Sequence, residues 1–155
     1  MKPIVACLWF DARAEEAAAF YTDVFGGELG RITRSTGLDR AEGAVLTVDF
    51  RILGRDFTAL NGGPKYAFDE AVSFVVPCDD QHEVDLLWSA LTADGGRPGP
   101  CGWLTDRFGL SWQIVPAVLG DLLASEDRAA ADRVARVVLA SYKLDIAELE
   151  AAAAG

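Results

Sequence analysis

Apolar and polar positions along the chain follow strand and helix periods in an order that occurs twice. Residues 3–10 form an apolar, β-prone run, and residues 11–27 place apolar side chains at helical spacing until a Gly-Gly pair ends the pattern. Three strand-like runs follow, ELGRITRS, GAVLTVDFRIL and RDFTALN, the last two joined by a short turn at Gly54. The sequence therefore predicts a first unit with the order β-α-β-β-β.

The same order starts again after NGGP, residues 61–64. EAVSFVVPC is strand-like, DDQHEVDLLWSALTADGG is an amphipathic helix, and a short strand near RPGP precedes the hairpin CGWLTDRFGLSWQIV, residues 101–115. A sheet with a helix on one face needs a cover for its other face, and a second unit supplies one. We therefore predict an α+β fold with one structural domain over residues 1–116, made of βαβββ modules at about 1–63 and 64–116.

Residues 117–155 differ in composition from the rest of the chain. They are rich in alanine and charged residues, and their apolar positions recur at helical spacing. The sequence predicts a helical C-terminal extension. Two placements remain open at this point: the extension covers the sheet of its own chain, or it packs on a partner subunit. Asp145 is a candidate cap for its last helix, as Asp11 and Asp79 are for the two earlier helices.

Charge and cysteine content exclude several classes of function. The chain of 155 residues has a formal charge of -10 and a pI near 4.4, which disfavours nucleic acid and anionic membranes as partners. No apolar run approaches the ~20 residues of a membrane helix. The three cysteines, Cys7, Cys78 and Cys101, have no CxxC spacing, and we interpret them as reduced packing thiols of a cytoplasmic protein.

Several stretches together resemble a known family. CLWFDARAEEAAAFYTDVFGG, FTALNGGP, SFVVPCDDQHEVDLLWSAL and CGWLTDRFGLSWQIVP are similar to the PhnB-like group of the glyoxalase/bleomycin-resistance/dioxygenase superfamily, also called vicinal oxygen chelate. Proteins of this group often carry the label 3-demethylubiquinone methyltransferase. The resemblance implies paired βαβββ modules with curved mixed sheets, a homodimer, and a site inside the curve of the sheet.

The superfamily's metal centre finds few donors at the corresponding positions. By the resemblance, the four ligand positions fall at about Ile4, at Ala71, at Asn61 or Ala59, and at Gln113. Two of these are aliphatic, one is at best an amide, and a divalent metal needs several convergent nitrogen or oxygen donors. The one histidine, His82, lies among acidic residues at the start of a helix and is interpreted as a surface residue. We expect neither a metal nor another cofactor.

An apolar pocket is the remaining candidate site. Strand alternation is taken to place Ala6, Leu8 and Phe10 away from the first helix, and Cys7 and Trp9 toward it. We therefore expect a ligand-binding face formed by Phe10, Phe57, Asn61, Ser73, Trp103, Ser111 and Gln113. A simply packed core is the competing interpretation. NGGP is interpreted as a hinge-like linker between the modules.

Three functions follow from this pattern. The first is a PhnB-like protein that binds a small organic ligand without the usual metal centre; whether it is an enzyme stays open. The second is an active lyase, isomerase or dioxygenase with an atypical site around Gln113 and Asn61. The third is a drug-sequestering, resistance-type binding protein. Methyl transfer is not favoured, because no glycine-rich turn joins a strand to a helix in the GxGxxG manner.

Overall fold

The computed structural model of the chain describes residues 3–38 and 40–155, and its elements follow the predicted order. The first unit contains β1 (Ala6–Phe10), α1 (Ala14–Phe25), β2 (Glu28–Arg34), β3 (Val45–Ile52) and β4 (Arg55–Asn61). The second contains β5 (Ser73–Cys78), α2 (Gln81–Thr92), β6 (Arg97–Pro98), β7 (Trp103–Thr105) and β8 (Ser111–Pro116). Three helices complete the chain: α3 (Leu119–Leu123), α4 (Arg128–Ala140) and α5 (Ile146–Ala154).

Each unit has its own four-stranded mixed sheet with the same connectivity. The strand orders are β1-β4-β3-β2 and β5-β8-β7-β6. In each sheet the first strand pairs in parallel with the last strand of the unit, and the other neighbours are antiparallel. The two compact units meet in sequence between Phe68 and Asp69, so the C-terminal helices belong to the second unit. The predicted α+β class with two βαβββ modules is confirmed.

Aromatic side chains hold α1 against the first sheet. Tyr21 on α1 is fully buried, and its ring centroid lies 5.9 Å from that of Phe50 on β3. Phe50 in turn stacks on Phe57 of β4, with the centroids 5.2 Å apart and the planes 15° apart. Such aromatic pairs each add about 0.5–1.5 kcal/mol to the free energy gained by burial alone. The stack fixes which face of the sheet carries the helix.

The N-terminus of α1 is capped from a distant part of the sequence. The helix begins at Ala14, and its backbone N–H donates to Asn61 Oδ1 at 2.8 Å, while Arg13 at the N-cap position makes no side-chain capping bond. Asp11, the predicted cap, is exposed and lies outside the first turn. The local prediction was wrong because an amide at the end of β4 reaches the same backbone donor.

The predicted caps of α2 and α5 agree better with the observed ones. In α2 the cap is Asp80 rather than Asp79, and its carboxylate accepts from Glu83 N at 2.9 Å. Glu83 Oε2 accepts from Asp79 N at 2.8 Å, which completes a reciprocal capping arrangement. Asp145 does cap α5, accepting from Glu148 N at 3.0 Å, so this prediction is confirmed.

The C-terminal helices pack on their own chain. Leu119, Val134, Leu144 and Leu149 form a buried cluster between them. The segment before α5 attaches this cluster to the second unit: Cys101 N and Gly102 N donate to the carbonyls of Ser141 and Tyr142 at 2.8 and 2.7 Å. On the α2 side, Gln81 Oε1 accepts from Ile146 N at 2.9 Å. Within its own chain, the extension therefore contacts α2 and the 101–102 turn, and its packing on a partner subunit stays a prediction.

No helix within residues 3–38 and 40–155 is long and apolar enough to cross a membrane.

Candidate functional site

The first sheet carries three predicted site residues on its helix side rather than on its open side. Ala6 pairs with Phe57 and Phe10 with Asn61, so these four residues share one face. Phe57 belongs to the aromatic stack under α1, and Asn61 caps that helix. Phe10, Phe57 and Asn61 are all buried. Their predicted placement on the helix-free face was wrong, and that face carries Cys7 and Trp9 instead.

Asn61 uses both ends of its amide in the core. Its Oδ1 accepts from Ala14 N, and its Nδ2 donates to Val45 O at 3.0 Å. The side chain thus links the start of α1 to the start of β3. An amide with both ends bound to backbone groups has a structural role that a ligand contact would disrupt.

The NGGP segment is anchored to the first unit and does not have the features of a hinge. Gly62 N and Gly63 N donate to the carbonyls of Phe10 and Asp11 at 2.8 and 3.1 Å. Trp9 Nε1 donates to Gly63 O at 2.8 Å. A Cβ on Gly62 would lie 2.2 Å from the Trp9 ring, so only glycine fits beneath the indole. The hinge interpretation is corrected: the segment continues β4 alongside the end of β1.

Polar side chains on the open face of the first sheet bind one another. Thr58 Oγ1 donates to Asp49 Oδ1 at 2.7 Å, and Arg51 forms an ion pair with Asp56 at 2.7 Å. These residues line a cavity of about 810 Å³ along β2, β3 and β4, which Phe57 also borders. A ligand would have to break these two pairs to use their polar groups, whereas the side chains of Glu28 and Arg31, which also line the cavity, have no partner among the described residues.

The open face of the second sheet gathers the other four predicted site residues. Ser73, Ser111, Thr105 and Arg97 are successive register partners across β5, β8, β7 and β6. A second row joins Val75 and Gln113 with Trp103. Gln113 Nε2 donates to Ser73 Oγ at 2.8 Å. Ser73, Ser111, Gln113 and Trp103 therefore do share one face, as predicted, and the opposite face carries buried residues such as Leu104, Trp112 and Ile114.

A cavity of about 650 Å³ opens at the β6–β7 end of this face. Its lining is mostly apolar and includes two prolines, an indole and a few polar groups. The lining residues are Glu70, Arg97, Pro98, Gly99, Pro100, Cys101, Trp103, Leu104, Thr105 and Ser111. The volume falls in the range of small-molecule sites. Ser111 Oγ donates to Asp69 O at 3.4 Å. Across the part of the chain that the structure describes, no hydrogen bond or ion pair engages the side chains of Arg97 and Thr105 or the Trp103 indole.

Arg97 and Thr105 were not among the predicted site residues. The strand near RPGP is only two residues long, which is too short for an alternation that would predict the direction of the Arg97 side chain. Thr105 lies in the predicted strand CGWLTD, two residues after Trp103. Strand alternation puts residues two apart on the same face, so this spacing was the signal that could have identified Thr105.

A buried carboxylate holds the turn that connects β7 and β8. Asp106 is 2% exposed. Its Oδ1 accepts from Phe108 N at 2.8 Å and from Leu110 N at 3.1 Å, and its Oδ2 accepts from Trp112 Nε1 at 2.8 Å. Gly109 N donates to Asp106 O at 2.9 Å, so the residue does open the predicted turn. Its three side-chain bonds make it a structural group that orients β8.

The three cysteines are free but lie in different environments. Cys78 is buried, and burial, followed by the carboxylates of Glu83, Asp79 and Asp80, raises the pKa of its thiol to about 11. Cys7 is exposed on the open face of the first sheet, so its predicted burial was wrong. Cys101 is partly exposed at the rim of the second cavity.

The donor set does not fit the superfamily's metal centre. Ile4 is 98% exposed and precedes β1, Ala71 precedes β5, and the Asn61 amide is bound to backbone groups. Gln113 lies on the open face, but its amide nitrogen is bound to Ser73. His82 is exposed on α2. Among residues 3–38 and 40–155, no three His, Cys, Asp or Glu side chains are grouped to hold a metal ion. We derive no chemistry through a metal.

Comparison with known proteins agrees with this architecture. The family described as 3-demethylubiquinone-9 3-methyltransferase matches residues 2–115. The chain belongs to this family. The PhnB protein from Bacillus cereus is 30% identical, with a TM-score of 0.65, and the match covers 75% of this chain and 100% of that protein. The family is the PhnB-like group of the glyoxalase superfamily, so the predicted membership is confirmed.

More distant structures share the fold. Protein PA1353 from Pseudomonas aeruginosa is 22% identical with a TM-score of 0.59, covering 72% of this chain and 95% of that one. The fosfomycin resistance protein FosX from Listeria monocytogenes, in complex with Mn(II) and sulfate, is 16% identical with a TM-score of 0.51, covering 72% and 88%. At these identities the likeness extends to the fold alone. No curated protein sequence matches the chain significantly.

Proposed function

We propose that this PhnB-like protein binds a small organic ligand in the 650 Å³ cavity of its second unit, without the superfamily's metal centre. One observation carries the proposal. The cavity is mainly apolar, and the side chains of Arg97 and Thr105 in it are engaged by no described residue, whereas the first-unit cavity has a more polar lining in which Thr58 binds Asp49 and Arg51 binds Asp56. A pocket with apolar walls and a few unengaged polar groups is typical of small-molecule sites.

Trp103 and Ser111 are the predicted site residues that border this cavity. Ser73 and Gln113 lie farther along the same open face, hydrogen-bonded to each other, and do not line the cavity. Phe10, Phe57 and Asn61 support the first unit and are left out of the proposed site. The ligand contacts therefore come from β6, β7 and the loop at residues 99–101.

A thermal-shift screen of metabolites and antibiotics tests the binding. A true ligand raises the melting temperature of the wild type, and the rise is lost in Trp103→Ala, which removes the largest side chain of the cavity. Val75→Ala is the matched control, because Val75 lies on the same open face but does not line the cavity. A ligand whose shift survives in Trp103→Ala binds elsewhere and refutes this site.

Mass spectrometry of each positive mixture distinguishes binding from catalysis. Unchanged ligand supports a binding protein, including the drug-sequestering alternative when the ligand is an antibiotic. A product that disappears in Gln113→Ala, with the fold intact, supports the active-enzyme alternative.

The turns that join strand to helix, Asp11–Arg13 and Asp79–Asp80, contain no glycine and do contain carboxylates. These turns therefore lack the glycine-rich strand-to-helix connection of common cofactor sites, and they give the methyltransferase label no support.

Metal analysis tests the metal-free part of the proposal. Protein purified without chelator should hold far less than one divalent ion per subunit, because Gln113 is the one open-face donor at the four expected positions. One tightly held divalent ion per subunit overturns this part of the proposal.

We propose further that the chain forms a homodimer. All seven residues of β2 are exposed, and this edge strand includes Leu29 at 50% and Ile32 at 43% exposure. An exposed edge strand with apolar side chains is suited to pairing with a second copy. Light scattering at micromolar concentration should give twice the 16.6 kDa chain mass, and a 16.6 kDa species contradicts the dimer. The three free thiols favour a reducing compartment such as the cytoplasm.

A further inference from the structure

We infer that the ligand of the second-unit cavity is an organic anion, with its acidic group at Arg97 and Thr105 and its flat apolar part against Trp103. The inference rests on the proposed site and adds the chemical class of its ligand. It depends on which polar groups line the cavity and on how they are arranged along the sheet.

Hydrogen-bond donors dominate the unengaged polar groups of the cavity. Arg97 is a permanent cation with five N–H donors, Trp103 Nε1 is a donor only, and the Thr105 hydroxyl donates or accepts. None of the three is bound to another described residue. An anion with acceptor oxygens satisfies all of these donors, and a guanidinium forms its strongest hydrogen bonds with carboxylates and phosphates.

Strand register brings two of these donors together. Arg97 on β6 pairs with Thr105 on β7, so their side chains lie next to each other on the open face. Trp103, two residues before Thr105, lies on the same face. Pro98 and Pro100 form a rigid apolar wall at this end of the cavity. The acidic group and the apolar body of one small molecule therefore reach their respective partners simultaneously.

Glu70 is the one acidic residue that lines the cavity. The chain just before it reaches Ser111, since Asp69 O accepts from Ser111 Oγ. Ser111 is two strands from Arg97, a separation of about 10 Å at the usual strand spacing. Among the residues that the structure describes, Glu70 makes no ion pair with Arg97. The guanidinium therefore stays available to an anion, and the Glu70 carboxylate in the same cavity opposes anion binding.

Three probes of the same shape test the charge preference by isothermal titration calorimetry at low salt. These are 2-naphthoate, 2-naphthamide and 2-naphthylmethylammonium. We expect 2-naphthoate to bind about fivefold more tightly than the neutral amide, and the cation to bind most weakly, since partly exposed charge contacts are modest. Arg97→Gln should remove the preference for 2-naphthoate while leaving the affinity for 2-naphthamide within about twofold. Glu70→Gln should strengthen 2-naphthoate binding slightly.

The control is Arg55→Gln, which removes an exposed arginine from β4 of the first unit and should leave all three affinities unchanged. Equal affinity for 2-naphthoate and 2-naphthamide, or a preference that survives Arg97→Gln, overturns the anion inference and leaves the proposed binding function standing. Binding of none of the probes, or binding that is unchanged in Trp103→Ala, overturns the site itself and with it the anion inference.

Discussion

The two units have the same order of elements but use their polar side chains differently. In the first unit, Asn61 caps a helix, Asp49 binds Thr58, and the Trp9 indole binds a backbone carbonyl. In the second unit, Arg97 and Thr105 stay unengaged beside a cavity. Two units with the same topology can therefore differ in function, because activity depends on the side chains that a fold presents.

The units also differ in what supports their sheets. The first has an aromatic stack between α1 and the sheet, with Tyr21, Phe50 and Phe57. The second has a buried carboxylate in the β7–β8 turn and the C-terminal helical cluster beside α2. The difference indicates that the second sheet, whose β6 has two residues and β7 three, depends on support from outside the sheet.

Asp106→Ala gives the largest expected effect. The substitution leaves the buried Trp112 indole and two backbone N–H groups without their acceptor, which should lower the free energy of unfolding by about 4 kcal/mol. Urea unfolding measures the change. Asp106→Asn keeps the shape and part of the acceptor capacity, so it should lose less than the alanine variant. If Asp106→Ala lowers the free energy of unfolding by less than about 1 kcal/mol, the carboxylate does not stabilise the second unit as argued.

Leu144→Ala tests whether the C-terminal helices belong to the second unit energetically. Leu144 is fully buried in the helical cluster and contacts the position of Gly102, so the variant should lose about 3 kcal/mol of stability. The matched control is Leu139→Ala, since Leu139 on α4 is 74% exposed and should change stability by less than about 0.5 kcal/mol. Equal unfolding midpoints for the two variants would show that the extension contributes little.

Gly62→Ala tests the anchoring of NGGP in the first unit. The added Cβ overlaps the Trp9 ring, which must move away, at a cost of about 2 kcal/mol. Gly120→Ala is the control, because nothing lies within 4 Å of a Cβ at that helical position. Thermal unfolding followed by tryptophan fluorescence measures both. A stability equal to wild type in Gly62→Ala would restore the hinge interpretation.

Asp85→Asn should give the smallest effect, and one that depends on pH. The hydrogen bond from Lys143, followed by that from Gln81, lowers the pKa of the Asp85 carboxyl below its usual 3.8. A lowered carboxyl pKa contributes stability above the unfolded-state pKa, and this contribution is lost as the pH falls through the folded-state value. The melting temperatures of wild type and Asp85→Asn should thus differ slightly at pH 7 and converge below pH 3.8. A constant difference across that range contradicts the Lys143 contact.

The strand alternation of the second unit was readable from sequence, whereas that of the first was not. In SWQIVP, the polar Ser111 and Gln113 alternate with the buried Trp112 and Ile114, which fixes the face of β8. In ACLWF, apolar residues occupy both faces, so the run carries no period of two. Only the contact between Tyr21 and Phe50 decides the face, and that contact depends on tertiary packing. The predicted facing of the side chains was accordingly correct for β8 and one residue out of phase for β1.

Long-range polar contacts were the other feature that could not be predicted from the sequence. Asn61 and Ala14 are 47 residues apart, and no local pattern links an amide at a strand end to a distant helix start. The elements themselves followed from periodicity and glycine positions. The partners of buried polar groups required the fold.

Gln81 gives the second unit a natural reporter of local opening. Its side-chain amide accepts from the Ile146 N–H and donates to the Leu144 carbonyl at 3.3 Å, so it binds the segment before α5 as another peptide group would. The Ile146 amide hydrogen is therefore shielded from solvent by one side chain of another helix. Its deuterium exchange rate, read by mass spectrometry or NMR, measures how often the C-terminal helices detach while the rest of the protein stays folded.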